Sequence, residues 1–463
     1  MTLPQVDLEN LADSPTPAQA AQSMPSAKPE PRLRSPQRDQ VPKDWPTLDR
    51  MLEPDHEVRT VWAAVCKLDL SGWFSEIKAV EGHVGRNATD PRLLLALWVY
   101  ATVKGIGSAR RLDELCREWL PLMWLCGGVS VNYGMLNTFR SQGGPKWDDL
   151  MTHIVGTLVH AGLVSLERVA QDGMKVRASA GTSSFHRQGS LEAALEAARQ
   201  QVEILKNLAA EEDRPTAGKK PGRTAAQRSA QERAARERQQ RIEEAMEQCE
   251  ELQRQREATA QQSGRKTKEA RASTTDPEAR SMKMGDGGTR PAYNVQFATD
   301  TASGVIVGVE VNNEGTDGNQ LPPMLDQVEE RYDHMPNEAL GDGGFATKET
   351  IEQADARGCT VYAPLKDQKK QEEQGKDPYA RKRGDSDEVA AWRSRMGTEE
   401  AQAIYRLRGQ TAEWVNAQSR NRGFRQMPVR GQARCRIIAL LYAIVHNLVV
   451  GERLRAEAAQ KAA

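Results

Sequence analysis

Residues 291–311 read PAYNVQFATDTASGVIVGVEV, and no other stretch constrains the fold as much. Tyr293, Val295 and Phe297 alternate with polar or small residues; Val305, Val307, Val309 and Val311 do the same beyond DTASG. A period of two is what a strand with one buried face requires, and DTASG has turn chemistry, so the stretch predicts a two-stranded hairpin. A lone hairpin is marginal in water and needs more strands or covering helices.

Two short runs supply further strands. In VAQDGMKVRAS (169–179), Val169 and Ala170 lead to Asp172, and Gly173 is expected to end the strand there. In ALGDGGFAT (339–347), Asp342 closes a similar run before two glycines. Between hairpin and Asp342 the pattern predicts a helix from Pro322 to about Arg331. After Asp342 come the helix TKETIEQADARG, the strand CTVYAPL and a helical region from near Thr398 to the C-terminus, broken at Gly423–Gly431. This order fits a mixed sheet covered by helices, an α/β fold.

The remainder divides by composition. Residues 1–44 hold many Pro, Ser, Gln and Ala and read as a disordered tail. Residues 45–164 read as an all-helical domain: Asp90 and Ser108 are N-caps, Pro91 suits a first turn, and Gly105 and Gly162 end helices. Residues 165–189 hold the first strand. Residues 190–270 interrupt the core with a charged helical hairpin, Leu191, Leu195, Val202, Leu205 and Leu208 on one helix and Ile242, Met246, Cys249 and Leu252 on the other. The core resumes over 271–366, a charged flexible segment fills 367–395, and 396–455 is the helical end of the core.

Formal net charge is zero, so any nucleic-acid face must be local. No apolar run approaches 18 residues, and no membrane span is expected. IIALLYAIVHNLVV reads as a core helix in which His446 is buried and hydrogen-bonded. There is no secretory pattern, and six scattered cysteines without a CxxC pair fit a reducing cytoplasm.

Three carboxylates carry candidate chemistry. Asp172 and Asp342 end two strands that, as neighbours, would present both at one sheet edge. Glu413 is the single acid in residues 405–436, among eight arginines. Arginines suit phosphates, and a few carboxylates suit Mg²⁺, which keeps its other positions for water and phosphate oxygens. Two such ions roughly 4 Å apart can serve an in-line displacement at phosphorus. An aspartate before glycine also forms turns, so spacing alone leaves both readings open. Asp300 reads as turn chemistry and Asp286 as loop, while Asp317 stands where it can line the same edge.

The chain resembles bacterial insertion-sequence transposases of the DDE type, which have a ribonuclease H-like catalytic core. DPRLLLALWVYATVKGIGSARRLDELC, WLCGG and NTFR resemble the family's N-terminal helical domain. QDGMKVRASAG resembles its first-Asp segment, TDPEARSMK with PAYNVQFATDTASGVIVG its central hairpin, and LGDGGFATKETIE its second-Asp segment. Tyr405, Arg408, Glu413 and Arg420, with RGFRQMPVRG, resemble its Tyr–Arg–Glu–Lys segment, and HNLVV its closing helix. The similarity covers about residues 45–452.

The resemblance implies that Asp172, Asp342 and Glu413 are catalytic and bind Mg²⁺ (or Mn²⁺), as two ions. It implies that Tyr405, Arg408 and Arg420 hold DNA near the cut; Arg422, Arg425 and Arg430 extend the set. Arg420 replaces a usual Lys, Phe345 a common Tyr, and Asn416 a typical aromatic. The implied partners are terminal inverted repeats and target DNA, bound by a homodimer or larger assembly with no membrane. Arg110, Arg111 and Arg140 are candidates for reading the element ends. The alternative is a catalytically silent or domesticated DNA-binding descendant. A coiled-coil structural protein would explain the hairpin but not the arginines around Glu413.

Overall fold

The structure, a computed structural model, describes residues 46–79, 87–212, 225–264 and 267–462. The expected tail and the DRPTAGKKPG break lie outside the described residues. From Leu48 onward the chain forms one compact unit.

Eight helices come first: α1 (Leu48–Met51), α2 (Glu57–Cys66), α3 (Ser71–Phe74), α4 (Pro91–Val103), α5 (Ala109–Glu118), α6 (Leu120–Cys126), α7 (Tyr133–Gln142) and α8 (Pro145–His160). The caps act as expected. Asp90 accepts from the Arg92 amide at 2.8 Å, and Ser108 from that of Arg111 at 3.3 Å. Gly105 (φ 71°) and Gly162 (φ 68°) adopt the left-handed conformation that closes a helix. Helix α4 is apolar nearly all round, and every residue from Leu93 to Thr102 is buried, so it forms the centre of this region.

The core then runs β1 (Arg168–Arg177), β2 (Phe185–His186), α9 (Gln188–Glu212), α10 (Ala225–Ser263), β3 (Ala272–Ser273), β4 (Arg280–Lys283), β5 (Thr289–Asp300), β6 (Ile306–Asn312), α11 (Leu321–Tyr332), β7 (Glu338–Leu340), α12 (Lys348–Asp355) and β8 (Thr360–Tyr362). Helices α13 (Gln368–Glu373), α14 (Asp387–Met396), α15 (Glu399–Gln410), α16 (Ala412–Asn421) and α17 (Gln432–Ala462) complete it. The main sheet is ordered β6–β5–β1–β7–β8, with β4 beside the first part of β5. Pairs involving β5 are antiparallel; β1–β7 and β7–β8 are parallel. With its flanking helices this is a ribonuclease H-like fold.

The hairpin β5–β6 forms, but its valines do not share one face. A register shift at Ala298/Thr299 interrupts the pairing. Val309 and Val311 join the core built on α4 and α17, whereas Val305 and Val307 join that of α11 and β7. One extra residue in a ladder reverses the side-chain parity. The inserted helices α9 and α10 pack through Leu191 with Ala245 and Cys249, and through Leu195 and Ala198 with Ile242. Contacts that run in opposite chain directions make the pair antiparallel. The short ladder β2–β3 at its base is not signalled by periodicity.

The segment 367–395, expected to be charged and flexible, holds helical structure. Asp387–Met396 is a helix capped by Ser386, with Val389, Trp392 and Met396 buried. Those three positions have helical spacing that the surrounding charges conceal. Helix α17 is long and apolar enough to span a membrane, but 61% of its apolar window is buried within the fold, as a core helix requires. His446 is buried and bonds the Gly304 carbonyl at 2.9 Å, and burial holds its pKa down at about 4.

Asn447 secures α17 to the sheet. Its Oδ1 accepts from the Ile306 amide at 2.8 Å, and its Nδ2 donates to the Ile306 carbonyl at 2.7 Å. All these groups are buried. Asn447→Ala leaves a backbone donor and acceptor unpaired, and denaturant titration is expected to show a loss of at least about 1–3 kcal/mol.

Candidate active site

Strand β1 does not end at Asp172. It pairs with β5 as far as Arg177, with Asp172 opposite Phe297. The neighbouring strand is the one that stops: β7 ends at Leu340, opposite Ala170. Asp342 follows two residues beyond the last pair, near enough for its charge to act on Asp172. Asp172 therefore lies on a stretch of strand whose β7 side is open. Farther along, Arg177 pairs with the segment after α16, the Met427 amide donating to its carbonyl at 2.7 Å.

Gly173 has a role other than ending the strand. A Cβ there would collide with Asp317 Oδ1 and lie 2.5 Å from Gln296 Nε2 and 2.9 Å from Asn294 Oδ1. Both amides donate to Asp317 Oδ1, at 2.7 Å from Asn294 and 2.6 Å from Gln296. Asp317 also approaches the second acid segment, since a Cβ on Gly344 would lie 3.7 Å from its Cβ. Asp317 thus sits against both acid-bearing segments. Gly173→Ala is expected to destabilise the fold by about 1–3 kcal/mol, the usual range for overpacking, as measured by thermal or urea unfolding.

Helix α15 stops at Gln410, and Thr411 (φ −116°, ψ −80°) redirects the chain into α16. The sequence reading missed this break. It puts Glu413 in the first turn of α16, where the helix dipole favours a carboxylate. Arg408, one turn before the break, donates through Nη1 to Glu413 Oε1 at 2.7 Å and through Nη2 to Asp172 Oδ1 at 2.9 Å. Asn416 donates to Asp172 Oδ2 at 2.8 Å, so both oxygens of that carboxylate are engaged.

The Asp172 side chain is 16% exposed and that of Glu413 58%. Burial pushes the Asp172 carboxyl above its ordinary range; Arg408 opposes the shift and the nearby Asp342 charge adds to it. Burial also pushes the Tyr405 hydroxyl up, and Arg408, Asp342 and Glu413 all act on it. Tyr405, Arg408 and the three acids therefore form one electrostatic group. Asp342 accepts the Gly344 amide at 2.7 Å through Oδ1.

Among the described residues, no three His, Cys, Asp or Glu side chains are gathered closely enough to hold an ion. Close carboxylates repel unless a cation or a shared proton lies between them, and Arg408 supplies a cation between Asp172 and Glu413. Asp172 and Glu413, the two carboxylates on either side of Arg408, are oxygen donors of the type that Mg²⁺ or Mn²⁺ takes.

The remaining arginines differ in setting. Arg420, Arg425 and Arg430 are exposed along the segment after Glu413. Arg430 donates to the Ser179 carbonyl at 3.3 Å, and Arg425 to that of Arg420 at 3.3 Å. Arg422 is half-buried beside Tyr442, and desolvation lowers its pKa. Arg140 departs from the expectation of a DNA-reading side chain: it is 4% exposed, with its guanidinium 4.0 Å above the Trp98 ring. Trp414 is 37% exposed and packs edge-on against His446 at 5.3 Å. Asp300 forms the expected turn, accepting from the amide and hydroxyl of Ser303, and Asp286 caps the Gly288 amide.

The site thus joins a ribonuclease H-like sheet, two strand-borne aspartates and an arginine-rich segment after Glu413. Residues 262–448 match the family described as Transposase DDE domain, and residues 46–142 the family described as Transposase domain (DUF772). The chain belongs to the DDE-type transposases of insertion sequences. The matched spans include Asp342 and Glu413, while Asp172 lies between them. No curated protein and no solved structure matches the chain.

Proposed function

We propose that the protein cuts DNA at the terminal repeats of its element and joins the freed 3′ ends to target DNA by in-line phosphoryl transfer. The observation that supports this most is Arg408, which lies 236 residues from Asp172 on β1 and ties it to Glu413 on α16. Asp172, Asp342 and Glu413 would hold Mg²⁺ or Mn²⁺, as two ions. Bound metal supplies activation of the attacking oxygen and neutralisation of the leaving one.

In this reading the chain's own groups do the positioning. Asn416 fixes the orientation of the Asp172 carboxylate. Arg408 and Tyr405 hold the phosphate beside the acids, and Arg420, Arg422, Arg425 and Arg430 hold the strand farther along. Both steps are displacements at phosphorus, and only the attacking hydroxyl changes, from water to the DNA 3′ end. Two ends to be joined call for at least a dimer on DNA, working in the bacterial cytoplasm.

The test is cleavage of a duplex carrying the element's terminal repeats by purified protein with Mg²⁺ or Mn²⁺. Nicks at the repeat boundary support the proposal. Specific binding without cleavage under either metal would favour the silent, DNA-binding alternative.

A further inference from the structure

Arg140 of α7 is a buried charge without a counter-ion among the described residues. It makes one polar contact, Nη1 to the Gly107 carbonyl at 2.7 Å, and its Nε has no hydrogen-bond partner. No carboxylate among the described residues pairs with it, and desolvation lowers its pKa to about 10. The face of Trp98 offsets part of that desolvation. A buried guanidinium otherwise calls for an anion.

Arg140 lines a cavity of about 360 Å³. One wall is the Gly105–Ser108 turn that leads into α5. The other is the 423–428 segment, which continues from the helix carrying Glu413. The two walls meet backbone to backbone: a Cβ on Gly423 would lie 3.4 Å from Gly105 Cα. Helix α5 has 10 residues and no acid in its first turn. Its N-cap, Ser108, lines this wall and caps only the Arg111 amide, so the positive dipole end of the helix begins beside the cavity. Apolar side chains such as Ile106, Phe424 and Met427 complete the lining and keep water from screening the charge.

We propose that this cavity is a phosphate-binding site, formed by Arg140 and the start of α5. Helix N-termini are ready-made anion sites, and a guanidinium adds fork-shaped donors for phosphate oxygens. The phosphate comes either from a DNA strand or from solution as free phosphate. The DNA source rests on the transposase reading. The site would then anchor the strand against both the N-terminal helices and the segment following Glu413.

The experiment uses the full chain, with Ser108→Asp, Arg140→Met and Arg140→Lys. Aspartate is as good an N-cap as serine, so Ser108→Asp keeps the helix start while placing a negative charge at the cavity. Inorganic phosphate should raise the Tm of the wild type saturably, beyond chloride at equal ionic strength. Ser108→Asp and Arg140→Met should lose that response, and Arg140→Lys should retain part of it. A phosphate response in Ser108→Asp equal to that of the wild type, or none in the wild type, overturns the proposal, even where Arg140→Met fails to fold.

DNA affinity measured across salt concentrations identifies the source. A salt slope reduced by roughly 0.9 in Ser108→Asp assigns the site to a strand phosphate. An unchanged slope with a lost phosphate response assigns it to free phosphate. The thermal arm does not require DNA cleavage, so it stands if the transposition reading fails.

Discussion

Asp172→Asn is expected to reduce strand cleavage by roughly 10²–10³-fold or more while leaving affinity for the DNA ends unchanged. Asparagine keeps the shape; its oxygen still accepts from Arg408, and its amide nitrogen can donate to Asn416 Oδ1 once that side chain turns over, but it removes the charge that a metal ion requires. The effect on stability runs the other way. The folded Asp172 carboxyl titrates above its unfolded value because burial outweighs its cationic neighbour. Its favourable contribution is therefore complete below the unfolded pKa and is lost as pH rises through the folded one. At neutral pH and without metal, the variant should melt at or above the wild-type temperature. Addition of Mg²⁺ should stabilise the wild type and not the variant. Thermal melts with and without Mg²⁺, alongside a gel assay of cleavage, check both halves. A variant that cuts at the wild-type rate removes Asp172 from the chemistry.

Arg408→Ala is expected to have opposite effects on metal and on DNA. Its guanidinium is the cation between Asp172 and Glu413 in the protein by itself. Without it the acids lose their internal neutralisation, so Mn²⁺ binding to DNA-free protein should tighten. Cleavage should nonetheless fall by about 10²-fold, because the phosphate loses a preorganised donor at the site of charge development. Arg408→Lys keeps the charge but cannot span both carboxylates with one planar fork, so it should fall between the two. Weaker Mn²⁺ binding in Arg408→Ala would show that the arginine supports the acids in some way other than standing in for a cation.

What the sequence reveals here depends on whether the relevant forces are local. The caps at Asp90 and Ser108, the strands of the hairpin and the core role of α17 follow from short-range chemistry and periodicity, and all were legible. The end of β1 was misread because Gly173 resembles a terminator. Its actual cause is Asp317, more than 140 positions away, which needs the space a Cβ would fill. The bulge that divides the four valines falls at Val307 beside Gly308, a glycine inside the run that strict alternation passes over. Arg140 looked like a surface charge because nothing local shows that Trp98 and the Gly107 carbonyl enclose it. The candidate acids were legible as types in a setting, but the parallel pairing of β1 with β7 that brings their segments side by side belongs to the sheet. The bridge through Arg408 depends on the break at Thr411, which α15 and α16 only reveal once packed.

The central claim is that Asp172, Asp342 and Glu413 share one cation site, and backbone scission by bound iron tests it most directly. Fe²⁺ substituted for Mg²⁺ and treated with ascorbate and peroxide generates hydroxyl radicals that cut the chain only beside the ion. Fragments ending near residues 172, 342 and 413 together, suppressed by excess Mg²⁺ and absent in Glu413→Gln, are the predicted result. Cuts at one of these segments without the others, or at none of them, would contradict it.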